Sequence, residues 1–257
     1  DEEFKNLNIN FNNMIDRLKK QQDKLLVAER YSAWESVARK LAHEIKNPLT
    51  PIQLSIDRLQ EKYSPKINDN KEEFIKYLET INRQIKDIEN LVNEFSSFAR
   101  MPNPIIKTMD LAKVIKRSVD FYSMSGNIKI NFNSYNNNFL IKGDEEQLYR
   151  VFINLIKNSD ESISEKKHKN KEFEGKIDIE INKNNDYIEV KLSDNGVGIS
   201  DTKQVMTPYF TTKTKGTGLG LPIVNKIINE HKGEFTLSNQ KNGGVEILIS
   251  LPVNNEK

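Results

Sequence analysis

In R-K-L-A-H-E-I-K-N-P-L-T-P, residues 39–51, His43 stands directly before Glu44 and four residues ahead of Asn47. Histidine is the side chain that changes charge closest to neutral pH, so an exposed one offers a lone pair for attack, proton transfer or a metal. A carboxylate at Glu44 can accept a hydrogen bond from the other ring nitrogen. That bond fixes the tautomer and stabilises positive charge as an electrophile arrives. Metal ligation asks for further histidines or carboxylates in an arrangement such as H-E-x-x-H, and none follows His43. Asn47 can orient a water molecule; it can equally satisfy the turn before Pro48.

Further stretches with chemical content lie beyond residue 150. In N-L-I-K-N-S-D-E-S, Asn154 and Asn158 are four apart and share one helical face. Their amides can cap a neighbour, face solvent, or offer carbonyl oxygens to a hard cation that keeps several waters, as magnesium does. D-N-G-V-G-I, residues 194–199, follows a strand pattern. Asp194 can accept a hydrogen bond from an exocyclic amine such as that of adenine, and the glycines admit close backbone approach, although an Asp-Asn-Gly turn needs no ligand. In P-Y-F-T-T-K-T-K-G-T-G-L-G-L-P-I-V, residues 208–224, Thr211, Thr212 and Lys213 lead into Gly216, Gly218 and Gly220 and then a helical pattern. Exposed amides, a helix N-terminus and a lysine together can cradle a triphosphate. Gly243 and Gly244 suit a hairpin turn before the last strand.

Other chemistries are absent from the sequence. There is no G-x-x-x-x-G-K-[ST] loop, no H-R-D or D-F-G sequence, and no glycine repeat opening a parallel strand–turn–helix unit. With no cysteine, disulfides and thiolate catalysis are excluded. The 39 basic and 37 acidic residues nearly cancel, so a net charge of +2 gives no general electrostatic reason to expect a nucleic-acid partner. No apolar run approaches the roughly 18 residues that cross a bilayer. The sequence opens on Asp1, and we expect it to be a piece of a longer protein.

Two kinds of scaffold must position these groups. From about Phe4 to Lys62 the apolar residues keep helical spacing; Trp34, Ala38, Leu41, Ile45, Leu49, Ile52, Ile56 and Leu59 make one stripe. His43 lies roughly 200° around the helix from both Leu41 and Ile45 and so points away from the stripe. Pro48 and Pro51 each remove a backbone donor, which predicts a bend or loosened turn one turn below His43. Y-S-P-K-I-N-D-N, residues 63–70, is a turn cluster. A second helix over 71–100 carries Leu78, Ile81, Ile85, Ile88, Val92 and Phe95 in a seven-residue repeat. Two helices with one apolar face each have too little core alone, so a dimer forming a four-helix bundle is expected. M-P-N-P-I-I-K-T-M-D, residues 101–110, reads as a linker and the natural hinge. Beyond it, strands over 128–133, 176–181, 188–193, 234–238 and 245–251 and helices over 111–121, 145–164 and 219–231 give an α+β domain. The charged tract 164–176, with His168, reads as a solvated loop.

The order H-E-I-K-N-P, then N-L-I-K-N about 110 residues later, then D-N-G-V-G, then T-T-K-T-K-G-T-G-L-G-L resembles the sensor histidine kinases of two-component signalling over the whole chain. A-W-E-S-V-A-R-K-L-A-H-E-I-K-N-P-L-T-P-I-Q-L-S-I-D-R-L is most similar to their nitrogen-regulation, NtrY-like type. The resemblance implies the end of a HAMP-like signalling helix at 1–25 and a dimerisation and phosphotransfer hairpin at 26–101. A linker at 102–110 and a catalytic ATP-binding domain at 111–257 complete it. The implied fold of the last part is the α/β sandwich shared by histidine kinases and split-chaperone ATPases.

By the same resemblance His43 is the phospho-acceptor, Glu44 its base, and Asn47 sits at the position used for phosphatase activity. Asn154 and Asn158 face ATP and magnesium, Asn158 being the stronger metal candidate. Asp194 reads adenine, with Gly196, Gly198 and Ile199 beside it. Tyr209, Thr211, Thr212 and Lys213 begin the ATP lid, and Gly216, Thr217, Gly218, Leu219 and Gly220 surround the phosphates. Ser159 stands where many members have alanine, a departure expected to be tolerated. Implied partners are a second copy of the chain and a response-regulator receiver domain. The implied location is the cytoplasmic side of an inner-membrane sensor, with membrane contact only through parts outside this sequence. Two alternatives keep part of the pattern: a conformational ATPase of the split-chaperone kind, against which Asn154 stands because such enzymes use an acid there, and an inactive dimeric scaffold.

Overall fold

The computed structural model describes residues 11, 14, 15, 18, 19, 22, 40–67, 69–99, 101–124, 128–134, 138–184, 186–202, 204–208, 210, 211, 213 and 216–253. It divides into two compact units, Asp1–Met101 and Pro102–Lys257. The few described residues before Lys40 are helical; Trp34, Ala38 and the rest of the expected HAMP-like segment lie outside the described residues.

The first unit is a hairpin of α1 (residues 40–63) and α2 (Lys71–Ala99), joined through a 3-10 turn at Ser64–Lys66. Its core is Ile56, Leu78 and Ile85, with Leu49 and Phe74 packed against them; Ala42 and Val92 are also buried. Gln53 Nε2 donates to Asn82 Oδ1 across the hairpin at 3.0 Å. The expected single stripe is in fact two rows, each repeating every seven residues. Residues 42, 49 and 56 on α1 and 78, 85 and 92 on α2 face into the hairpin. Ile45, Ile52 and Leu59 on α1 and Ile81 and Ile88 on α2 form the second row, with Leu41 one turn ahead of it, and all stay 39–46% exposed. A lone helix can cover only about one such row of its partner.

The expected interruption at Pro48 and Pro51 does not break α1, which is helical throughout residues 40–63. By the i to i−4 rule Pro48 leaves the Glu44 carbonyl, and Pro51 the Asn47 carbonyl, without its helix donor. Both residues are exposed, so water can take the place of the missing N–H.

In the second unit a five-stranded sheet runs in the order β2 (Lys129–Ser134), β4 (Lys176–Lys183), β5 (Tyr187–Asp194), β7 (Val245–Pro252), β6 (Glu234–Asn239). The β2–β4 pair is parallel and the others antiparallel. Strict alternation puts Ile177, Ile179, Ile181, Ile188, Val190, Leu192, Ile247 and Ile249 on one buried face. The helices α3 (Leu111–Ser123), α4 (Glu145–Lys169) and α5 (Gly220–Glu230) supply the matching apolar side chains, among them Ile115, Phe152, Leu155, Ile156, Val224 and Ile227. The result is the expected α/β sandwich.

Three expectations need correction. Lys107–Asp110, read as the end of a linker, is strand β1, paired antiparallel with β3 (Leu140–Gly143), a strand absent from the sequence reading. The segment before β1 is also fastened to this unit: Gln147 Nε2 donates to the Pro102 carbonyl at 2.9 Å and the Ile105 N–H to Asp144 Oδ2 at 2.8 Å. Four-residue strands with one or two buried side chains give too short a period to detect. Finally, α4 continues to Lys169, five residues into the tract read as a loop. Lys166, Lys167, His168 and Lys169 in its last turn complement the negative end of the helix dipole.

Candidate nucleotide site and phospho-acceptor helix

In the second unit α4 is the organising element. Asp144 caps its N-terminus, accepting from the N–H groups of Glu146 at 3.1 Å and Gln147 at 3.0 Å. One face of the helix then presents Asn154 and Asn158, both half-buried, towards the first residue of α5. A Cβ placed on Gly220 would lie 3.5 Å from Asn158 Nδ2 and 3.9 Å from Asn154 Oδ1. The two amides and the helix start are therefore one neighbourhood. Asp194, at the end of β5, is joined to it through Ser159, whose Oγ donates to Asp194 Oδ2 at 3.1 Å.

Asp194 is buried and held on both oxygens: Oδ1 accepts from the N–H groups of Gly196 at 2.9 Å and Val245 at 3.3 Å. Burial pushes its pKa above the ordinary carboxylate range, against the opposing pull of the Gly196 and Val245 amides, the Ser159 hydroxyl and the Lys166 ammonium. A buried carboxylate with a raised pKa and polar partners is a candidate functional group. Gly196 is forced by packing, because a Cβ there would sit 2.2 Å from Ser162 Oγ.

The loop after Asp194 is clamped along its length. Ser162 Oγ accepts from Val197 N at 3.1 Å, and Lys166 Nζ donates to the carbonyls of Asn195 at 2.7 Å and Gly196 at 3.1 Å. Asn239, at the end of β6, accepts from Ile199 N at 2.8 Å and donates to Ile199 O at 2.6 Å. Gly244, with φ +88°, passes so close to Asp194 that a Cβ would meet its carbonyl oxygen at 1.9 Å. The pair Gly243-Gly244 is thus part of the site as well as a hairpin turn. Ser162, Lys166, Asn239 and Gly244 were missed as site residues; only the glycine pair left a mark in the sequence.

The lid region is described in part. Thr211 Oγ1 accepts from Lys213 N at 3.1 Å, and Gly216 N donates to the Lys213 carbonyl at 3.3 Å, making a tight turn. Lys213 Nζ pairs with Glu161, three residues beyond Asn158 on α4. Neighbouring Asp160 is raised by burial, and burial with Asp160 and Glu161 nearby pushes Tyr122 up to about 12. Thr217 Oγ1 accepts from Leu219 N at 3.4 Å, and Leu219, at the N-cap, gives α5 no side-chain cap. Among the described residues, no side chain from the N-cap position satisfies the first amides of α5. Tyr209 and Thr212 lie outside the described residues. Among the described residues no group of three or more His, Cys, Asp or Glu side chains gathers as a metal site. Two amide oxygens fit a cation that completes its shell with water and phosphate oxygens, as magnesium does.

His43, Glu44 and Asn47 lie in the first unit, all exposed on α1. The residue beside His43 that points into the hairpin is Ala42, 3% exposed. Ile45 belongs to the uncovered row and Leu41 stands one turn ahead of it, so the histidine faces solvent as expected.

Two families match the chain: the His Kinase A (phospho-acceptor) domain over residues 33–104, and the histidine kinase-, DNA gyrase B- and HSP90-like ATPase over residues 143–255. A phospho-acceptor hairpin followed by such an ATPase domain is the order found in sensor histidine kinases, and this chain carries both domains. Among its relatives is the NtrY-like sensor histidine kinase of Rickettsia felis, 41% identical over 244 residues, which are 94% of this chain and 40% of that protein. The nitrogen regulation protein NtrY of Azorhizobium caulinodans is 38% identical over 91% of this chain and 30% of its own length. The chain thus spans less than half the length of these relatives. In fold, 89% of the chain and 64% of the other superpose on histidine kinase ThkA, solved in complex with response regulator protein TrrA, with a TM-score of 0.60 and 24% identity.

Proposed function

We propose that the chain is a kinase core that moves the γ-phosphoryl group of magnesium-ATP to His43 and then to an aspartate of a response-regulator receiver domain. One observation carries the reading. A single chain holds an exposed histidine beside an acid on α1 and, in its second unit, a neighbourhood of Asn154, Asn158, Asp194 and the open start of α5. Asp194 takes the base amine, the α5 amides and Lys213 take the phosphates, and Asn158 with Asn154 holds magnesium, which supplies charge neutralisation. The His43 lone pair forms the N–P bond while the bond from γ-phosphorus to the bridging oxygen breaks and its electrons leave with ADP. Glu44 holds the proton on the other ring nitrogen. In-line positioning and charge neutralisation are the main needs of such a transfer.

The rest of the reading follows from the same residues. The uncovered row on α1 and α2 is covered by a second copy, giving a four-helix bundle. Asn47, one turn beyond His43, orients water against the acyl phosphate of the partner and so gives a phosphatase activity. The functional boundaries are a signalling helix ending near residue 25, a phosphotransfer hairpin to residue 101, and an ATP-binding domain from about 111. Relatives more than twice as long leave room for an input module and membrane anchor in a parent protein, with this chain on the cytoplasmic side. The test is mass spectrometry at neutral pH after incubation with ATP and magnesium. Phosphate on the peptide holding His43 is expected, and phosphate on any other residue would overturn the assignment.

A further inference from the structure

A carboxylate offers about four acceptor sites, two on each oxygen. On Asp194 the backbone N–H groups of Gly196 and Val245 take both sites of Oδ1, and Ser159 Oγ takes one of Oδ2. Among the described residues, one site, on Oδ2, is left. Ser159 is 2% exposed, so its hydroxyl meets a ligand only through Asp194. We infer that Ser159 is a positioning residue for base selection: by holding one Oδ2 site it lets the carboxylate take one N–H of the amine of a 6-aminopurine and denies it a second donor.

The inference rests on the reading that Asp194 faces the purine. A guanine edge presents two parallel N–H donors, which either straddle the two oxygens of a carboxylate or converge on one. The main-chain donors on Oδ1 stand against straddling. Ser159 stands against convergence on Oδ2, and it is the side-chain member of the set. The hydroxyl also holds the charge of the carboxylate. Burial opposes that charge, and the Lys166 ammonium from α4 favours it, leaving Ser159 as the side-chain hydrogen bond on the favourable side. Without Ser159 the carboxylate protonates at a higher pH, and the acid limb of nucleotide binding moves up with it.

The test compares the full chain, Ser159→Ala and Ser162→Ala by calorimetric titration with ATP and with GTP between about pH 5 and pH 8. Ser162→Ala removes a hydrogen bond from the same loop without touching Asp194. Ser159→Ala is expected to weaken ATP about two- to tenfold, the worth of one hydrogen bond, and GTP less, so that the ATP-to-GTP ratio falls. Its ATP affinity should begin to fail at a higher pH than that of wild type. Ser162→Ala should change both nucleotides alike and leave the pH midpoint in place. An unchanged ratio and midpoint in Ser159→Ala, or the same ratio change in Ser162→Ala, would overturn the inference. A wild type that binds neither nucleotide would overturn the reading of Asp194 itself, and this inference with it.

Discussion

Ionising Asp194 works against the fold that holds it. Its folded pKa lies above its unfolded one because it is buried, so the folded state prefers the protonated form. Stability from this group is therefore lost as pH rises through that window, and at neutral pH the carboxylate is a net cost. Asp194→Asn keeps an acceptor for Gly196 and Val245 and offers its amide to Ser159. It is expected to raise the thermal midpoint at neutral pH, with the gain shrinking towards acid pH, while ATP binding falls more than about tenfold; calorimetry of unfolding and of binding reads both. A variant less stable than wild type at neutral pH would contradict this. Asn47→Ala makes the opposite separation, leaving phosphoryl label on His43 while slowing loss of phosphate from the partner aspartate. Asn154, Asn158 and Asp194 were singled out only by the order and spacing of the motifs taken together, because each alone has an ordinary structural use as a cap or a turn residue. Ser159, Lys166 and Asn239 were not, because each acts through a partner distant in sequence, 35, 29 and 40 residues away.

Among the elements, α4 is anchored at both ends, and its start is where the segment 102–106 joins the second unit. Asp144 caps the helix, takes the Ile105 N–H, and gives its own N–H to His231 Nε2 at 2.8 Å. A backbone N–H must donate, so that ring nitrogen accepts, and Nδ1 carries the proton given to the Ile227 carbonyl at 2.8 Å. Partial burial would raise the Asp144 carboxyl, but the Gln147, Ile105 and Glu146 amides hold it below the usual range. Its stabilisation is thus complete above the ordinary carboxylate value and is lost as pH falls through the lower folded value. Asp144→Ala should cost about 1–2 kcal/mol in denaturant melts, as caps do, and flatten the acid end of the stability profile. The long helices and the alternating strands β4, β5 and β7 were legible from period alone. β1 and β3 were not, since a four-residue strand shows barely two repeats, and neither was the last turn of α4, whose lysines look like loop until a helix dipole is there to complement.

For the molecule as a whole, the uncovered row decides assembly. Ile45, Ile52, Ile81 and Ile88 lie on the hairpin face that the first unit leaves open. Each is already more than half covered, so burying the remainder is worth about 1 kcal/mol per side chain, summed over both copies of the row. Ile52→Asp with Ile88→Asp is expected to turn a dimer into a monomer in light scattering while ATP still binds the 102–257 unit. A dimer that survives both substitutions would mean another face is used. The split of one apparent stripe into two rows was not legible in the sequence, because both rows obey the same seven-residue repeat and only a partner helix tells them apart. The most direct test is incubation of the chain with γ-labelled ATP and magnesium beside His43→Gln. The expected result is acid-labile, base-stable label on wild type and none on His43→Gln, which still binds ATP. Label that persists on His43→Gln, or steady ATP hydrolysis with no label on either protein, would contradict a phosphoryl group carried by His43.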